Sequence, residues 1–222
     1  MVSVARSRDP FGTVLAALRR RIADGAYAPG QSLTIVDLAR EFGFSTTPMR
    51  EALAWLAGEG VISERRGSGY SCWRVEPGQL LDLYDLQESY LLFALRRVDL
   101  QAAKVRRQSE PAQSPPDGED EDLRLVRLGE QVLTNLVAAS NHSPVIQAHA
   151  SLTTRLGNVR RAEIHVLTDL RDELEDFSAG FPSPQSQEDF IRRFHERRRG
   201  MSAEIHRNLV SGRIYSKTRN IY

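Results

Sequence analysis

Apolar side chains at Phe11, Val14, Leu15, Leu18 and Ile22 recur every three or four positions, the repeat of one helix face, and Gly25 stands where a helix-ending glycine is expected. Ala28-Pro29-Gly30 then punctuates a turn. Thr34 opens a second helical pattern, Ile35, Leu38, Ala39 and Phe42, with Asp37 three residues on in a capping-box arrangement, and Gly43 closes it. A third helix starts at Thr47-Pro48, because proline at the first helical position gives up a donor that would be unpaired anyway. Met49, Ala52, Leu53 and Leu56 form its apolar face, which runs out near Gly58 to Gly60. Only Phe44 to Thr46 separates the second helix from the third. Val61 to Arg65 and Tyr70 to Val75 are β-prone runs around Arg66-Gly67-Ser68-Gly69, and a glycine-containing link of that length predicts a hairpin.

Two close-set helices followed by a basic-tipped hairpin predict a winged helix-turn-helix over residues 1–78. From residue 79 to 222 the patterns are helical almost throughout, starting with Leu80 to Arg97, whose apolar positions are Leu80, Leu83, Leu86, Tyr90, Leu91 and Ala94. The fold class is therefore mainly α: three helices and a β-hairpin wing, then an all-α helical-bundle domain. The interruption is 107–122, where Gln108 to Asp122 carries three prolines, six acids and no base. It has too little apolar surface to order itself, and it reads as an acidic, proline-rich, solvated loop.

Composition narrows the functional classes. With 41% hydrophobic and 27% charged residues over 222 positions, the chain is an ordinary globular protein of two modest domains. The formal net charge of +1 announces neither a nucleic-acid nor a membrane partner, so any DNA affinity must come from a local patch. Residues 1–78 hold ten basic against eight acidic side chains, a slight positive bias. One cysteine, Cys72, excludes an internal disulfide and a multi-cysteine zinc site. No apolar run approaches the ~20 residues of a membrane span, and the start, MVSVARSRDPFG, lacks the apolar core of a signal peptide, so the cytoplasm is the expected location. No nucleophile elbow, phosphate loop or paired-histidine motif is present, which argues against an enzyme, and no cofactor is expected.

In a winged helix-turn-helix the third helix enters the major groove with its N-terminal residues at the base edges, while the second crosses the backbone. Thr46, Thr47, Met49 and Arg50 are therefore the candidate exposed residues, with Arg40 and Ser45 beside them. Arg50 sits one turn into the helix, where a guanidinium reads guanine or clamps a phosphate. At the hairpin tip Arg65 and Arg66 supply charge, and Gly67 and Gly69 let the backbone turn close to the duplex. Taken singly, Arg50 pairing with Glu41, Glu51 or Glu59 on a solvated face explains its presence equally well.

The text from Ile22 to Tyr70 resembles the GntR family of bacterial transcription regulators, in its Gly-x-Tyr-x-Pro-Gly turn, Leu38-Ala39, Ser45 to Leu53 as STTPMREAL, and Glu59-Gly60-Val61 leading into a Gly-x-Gly wing. The resemblance implies that Arg50 and the wing contact operator DNA. Thr46 stands where the family usually has arginine, and Val36 where several members carry a DNA-contacting one. Leu80 to Arg97 is similar to the opening helix of the effector domain in the FadR-like branch, with Gln87 at the branch's arginine and Tyr90-Leu91 where its glutamate is expected. LTNLVAASN, Leu133 to Asn141, resembles that branch's helix bearing an aspartate and a histidine that bind a divalent metal, but the two positions are Leu128 and Val132 here. His142, His149, His165, His195 and His206 include no pair at helical ligand spacing, so no metal is expected, although tertiary assembly stays open. His195 and His206, 11 residues apart on one helix face, would lie ~16 Å apart, too far to share an ion.

The resemblance makes residues 79–222 a divergent effector-binding and dimerisation domain. A carboxylate-like effector would need neutralising arginines, and Arg192, Arg193, Arg197, Arg198 and Arg199 around His195, with Arg155, Arg160 and Arg161 on another helix, are candidates; the effector residues are not assigned. The expected function is a ligand-responsive, homodimeric transcription regulator, a repressor in the commoner mode of the family it resembles, on a pseudo-palindromic double-stranded operator. The alternative is a winged-helix protein-interaction module that has lost DNA recognition.

Overall fold

The computed structural model describes residues 9–65, 67, 69–98, 121–179 and 183–211. Helix α1, Pro10–Ala23, starts from Asp9, whose carboxylate accepts the Gly12 amide at 2.9 Å. Gly25 follows it with φ +67°, the left-handed turn that a side chain resists. Strand β1, Ser32–Leu33, leads into α2, Ile35–Phe42, and α3, Thr46–Gly58. The wing is β2, Ile62–Arg65, and β3, Gly69–Cys72. The three strands form an antiparallel sheet in the order β1-β3-β2, with Leu33 opposite Tyr70 and Ile62 opposite Cys72.

These elements close around one core. Val14, Leu18 and Ile22 from α1 meet Leu38 and Ala39 from α2 and Met49, Ala52, Leu53 and Leu56 from α3, while Val61, Ile62 and Cys72 seal the sheet side. The four-residue spacing on α1 and the three- and four-residue spacing on α3 put each set on one face, as the sequence pattern predicts.

Three local expectations need correction. The third helix starts at Thr46 with Ser45 as its cap, so Pro48 occupies the third helical position. The first amides of any helix lack internal partners, so proline is tolerated there as readily. Thr34 caps α2 without a side-chain hydrogen bond, and Asp37 approaches Arg40 at 3.4 Å, so the capping box does not form. Strand β1 was not foreseen, because two residues carry no alternation; it is held by Cys72, which exchanges backbone bonds with Gly30 (2.9 Å) and Gln31 (2.8 Å).

The rest is helical: α4, Pro77–Leu95; α5, Glu121–Ala139; α6, Ser143–Ile164; α7, Leu170–Ala179; α8, Pro184–Gly200; and α9, Ser202–Val210. Of the acidic loop read from the sequence, residues 107–120 lie outside the described residues. Glu121 and Asp122 form the first turn of α5, where carboxylates oppose the positive helix end. Asn141 ends the α5 segment at φ +53°, a conformation asparagine tolerates better than most side chains. On α4 the buried side includes Tyr84 and Gln87, whereas Leu86 is exposed, contrary to the apolar set read from the pattern.

Helix α6 lies at the centre. Its consecutive residues Leu156 to Glu163 are all buried, since α1, α4, α5 and α9 cover it on every side. Val75, Leu80 and Leu83 pack with Leu152, Leu156, Ile205 and Leu209, while Leu91, Leu133, Leu170 and Phe194 belong to a second cluster. Gly157 is the closest approach between α1 and α6: a methyl group there would sit 2.1 Å from the Ala23 carbonyl oxygen. Gly157→Ala is therefore expected to lower stability by about 1–3 kcal/mol, the usual cost of overpacking, in urea unfolding followed by circular dichroism. Gly58→Ala, with open space around it, should be neutral or slightly stabilising.

Candidate nucleic-acid interface

The exposed end of the first domain is built from the start of α3. Ser45 takes the cap position in extended backbone, and no side chain closes the cap, so the first-turn amides face outward. Ser45, Thr46 and Thr47 are exposed there, and Arg50 projects one turn further along. Among the described residues Arg50 makes no ion pair. Glu41 is held by Arg21 at 2.7 Å and Glu59 by Arg19 at 2.6 Å, which removes two of the three acids that the bland reading offered it. Met49 is a correction to the candidate set: it is fully buried among Leu53, Leu56 and the α1 side chains, because a residue one position before an outward Arg50 turns about 100° toward the core.

The wing stands beside this helix. Tyr70 on β3 is raised above the ordinary tyrosine pKa by burial and by Glu64, and the nearby positive charge of Arg50 opposes the rise, so helix and wing share one electrostatic neighbourhood. Arg65 is exposed at the end of β2, opposite Gly69. Gly67 and Gly69 have φ of +79° and +76°, the conformation that makes glycine necessary at this tip. Arg66, a sequence candidate, lies outside the described residues. Arg40 on α2 is exposed, its side chain 76% accessible. Tyr70 joins the neighbourhood without having been a candidate. In the sequence it reads as a member of a strand, and only the folded hairpin sets it near a cationic helix end.

Several of the arginines proposed to meet an acidic effector have other partners, whereas Arg155 lies 4.3 Å from the Trp73 ring with its buried Nε unpartnered. The buried Glu163 carboxylate receives both amino groups of a pincer: Arg160 at 2.7 and 2.9 Å and Arg198 at 2.9 Å, with the Tyr84 hydroxyl donating at 2.8 Å. Arg198 also reaches Glu173 at 3.0 Å, Arg160 reaches Glu130 at 3.1 Å, and Arg160 donates to Gln87. Burial by itself would raise the Glu163 pKa, but Arg160 and Arg198 outweigh it and hold the carboxyl below its ordinary value. Three glutamates thus balance two arginines, leaving no surplus positive charge for an anion. Arg161 donates to the Asp24 carbonyl, and Arg199 pairs with Asp85 and Glu88. Gln87, at the position of the branch's arginine, is met by a guanidinium from α6.

No group of three or more metal-ligating side chains exists among the described residues. Leu128 and Val132 pack into the apolar cluster. His195 and His206 occupy different helices, a correction to their placement on one face; His195 bonds the Ile191 carbonyl at 2.8 Å and His206 the Val75 carbonyl at 3.1 Å. No described helix is long and apolar enough to cross a membrane.

Three helices with a glycine-hinged hairpin laid against the open end of the third define a DNA-binding protein of the winged helix-turn-helix class. Residues 11–71 match the family described as bacterial regulatory proteins, gntR family. The chain is a GntR-family transcriptional regulator. It is 28% identical over 179 residues to the Nta operon transcriptional regulator of Aminobacter aminovorans, spanning 74% of this chain and 85% of that one. An HTH-type transcriptional regulator in an unstable DNA locus of Streptomyces ambofaciens is 30% identical over 152 residues, 67% of this chain and 64% of that one. The structure of McbR/YncC from E. coli superposes with a TM-score of 0.58 at 20% identity, covering 98% of this chain and 99% of that one, a likeness of fold.

Burial lowers the pKa of His149 to about 4 and of His195 to about 3, with Arg160 adding to the effect at both. Unfolded histidine titrates near 6.5, so between that pH and the folded values the unfolded chain binds protons that the folded chain refuses. Stability should therefore rise with pH through this window, by up to about 1.4 kcal/mol per unit for each histidine, and fall on acidification. Urea midpoints measured from pH 4.5 to 7 test this, and His149→Gln should remove one proton's share of the slope.

Proposed function

We propose that the chain is a homodimeric, ligand-responsive regulator, a repressor of the FadR-like branch, that binds a pseudo-palindromic operator through two winged domains. In this reading residues 1–78 hold the DNA and residues 79–222 supply the dimer contact and the effector site. The observation that carries it is an exposed Arg50 without an acidic partner, beside the open start of α3 and the wing. Helix N-termini favour phosphate, so Ser45, Thr46 and Thr47 serve the backbone, and Arg50 reaches a base edge or an adjacent phosphate. Arg40 meets the backbone from α2, while Arg65 and Arg66 follow the neighbouring groove with Gly67 and Gly69 at the tip. Two-fold symmetry would set the two α3 helices about one turn of DNA apart, ~34–36 Å.

An effector that prefers one arrangement of the two domains shifts the population between DNA-competent and incompetent forms without touching DNA. The buried Arg160 and Arg198 are a poor handle for an acid here, since carboxylates already neutralise them.

Operator fragments selected from the chain's own genome provide the test. Arg50→Ala should weaken binding by about 1–3 kcal/mol and relax preference at one base position if the contact is bidentate. Unchanged affinity and preference would remove Arg50 from the reading set. Arg65→Ala should weaken all sequences alike and reduce the slope of log affinity against log salt by about one. Binding to neither random nor genomic DNA, with no salt dependence, would favour the protein-interaction reading.

A further inference from the structure

A cleft of about 480 Å³ runs between α1 of the winged domain and α5 and α6 of the helical domain. That is the size of small-molecule sites, roughly 300–1,000 Å³. Leu15, Val137 and Ile146 make its walls apolar, and His149 forms part of the lining. His149 is 1% exposed, and its Nε2 has no hydrogen-bond partner. A buried polar nitrogen left unpaired is costly, and a ligand group that bonds it recovers that cost.

The neighbours of His149 indicate what that group must be. Thr153 Oγ1 lies 3.5 Å from His149 Nδ1, and Thr153 stands near enough to the Glu130 carboxylate to lower its pKa. A carboxylate only accepts, so a hydroxyl proton turned toward Glu130 leaves the Thr153 oxygen to accept from Nδ1–H. A neutral imidazole with its proton on Nδ1 presents a lone pair at Nε2. Burial keeps the ring neutral near pH 7. At Nε2 an anion would meet a lone pair, and the two arginines of the lining, Arg19 and Arg20, already face Glu59 at 2.6 Å and Asp24 at 3.9 Å.

We propose that this interdomain cleft is a binding site for a small, uncharged, largely apolar molecule bearing one hydroxyl, which donates to His149 Nε2 while its hydrocarbon body lies between α1 and α6. The consequence for DNA rests on the ligand-responsive reading above, whereas binding itself does not. Because α1 belongs to the winged domain and α6 to the helical one, an occupant touches both and changes how they sit together.

The probe is 2-naphthol, titrated by calorimetry into the full chain without DNA. It should bind saturably, one molecule per chain, and about tenfold more tightly than 2-methoxynaphthalene, which has no proton to donate. Ala16 and Ala150 are exposed residues of the lining, on α1 and α6. Ala150→Leu should fill the cleft and weaken 2-naphthol at least tenfold at an unchanged thermal midpoint, and Ala16→Leu should do the same from the other wall. His149→Leu should abolish the preference for 2-naphthol over its methyl ether.

No saturable binding by millimolar 2-naphthol, binding indifferent to both leucine variants, or tighter binding of 2-naphthoate would overturn the proposal. Operator affinity is measured separately on the same protein. A chain that takes 2-naphthol but no operator overturns the regulatory reading alone; one that takes operator but no 2-naphthol overturns the cleft alone.

Discussion

The arrangement of the two domains depends on the contact between the end of α1 and the middle of α6. Gly157 has no side chain, so the Ala23 carbonyl can lie directly on the α6 backbone. Around that contact Arg127 grips the Asp24 carboxylate through two nitrogens, at 3.2 and 2.7 Å, Arg161 donates to the Asp24 carbonyl, and Asn158 donates to the Tyr27 carbonyl at 3.0 Å. The last carbonyls of a helix carry partial negative charge and lack internal partners. Here the helical domain supplies one such donor, Arg161 at the Asp24 cap carbonyl, and holds the segment just beyond the helix through Tyr27. Asn158 also reaches Cys72 at 3.5 Å, which ties the wing sheet to the same point.

This docking makes coupling between the domains physically plain. Helix α1 packs against α3 inside the winged core and against α6 outside it. A shift of α6 moves α1, and α1 moves the helix that presents Arg50. The α6 segment is in turn held by Glu163 and its two arginines. Removing one member of such a buried group leaves an uncompensated charge, which typically costs about 3–5 kcal/mol. The cluster thus ties the middle of α6 to α4, α5 and α8.

Much of the winged domain was legible in the linear pattern because its helices are amphipathic. Val14, Leu18 and Ile22, then Met49, Ala52, Leu53 and Leu56, mark faces at helical spacing, and the glycines at 25, 43, 67 and 69 mark left-handed turns. The same apolar spacing assigned Met49 to the core, and treating it also as a DNA contact conflicted with that spacing. Strand β1 left no trace, since its two residues are strand-like only through their pairing with Ser71 and Tyr70. On α6, the run LGNVRRAE reads as a polar helix face, yet all of it is buried. Its arginines and glutamate are compatible with the interior only because Tyr84 and Gln87, Glu130, and Arg198 converge from three other helices.

The sequence by itself determined the class of the protein: helix periods, turn glycines and the STTPMREAL segment suffice for a winged helix-turn-helix with Arg50 near the start of its third helix, because these depend on residues close together in the chain. Only the tertiary structure decided which arginines are available and which are spent. Arg19 and Arg21 occupy Glu59 and Glu41 and leave Arg50 without them, whereas Arg160 is neutralised by Glu163 on its own helix and by Glu130 from α5, and Arg198 by Glu163 and Glu173 from α6 and α7. A charge's availability depends on its distance to every other charge in space, and the order of residues along a chain does not specify those distances.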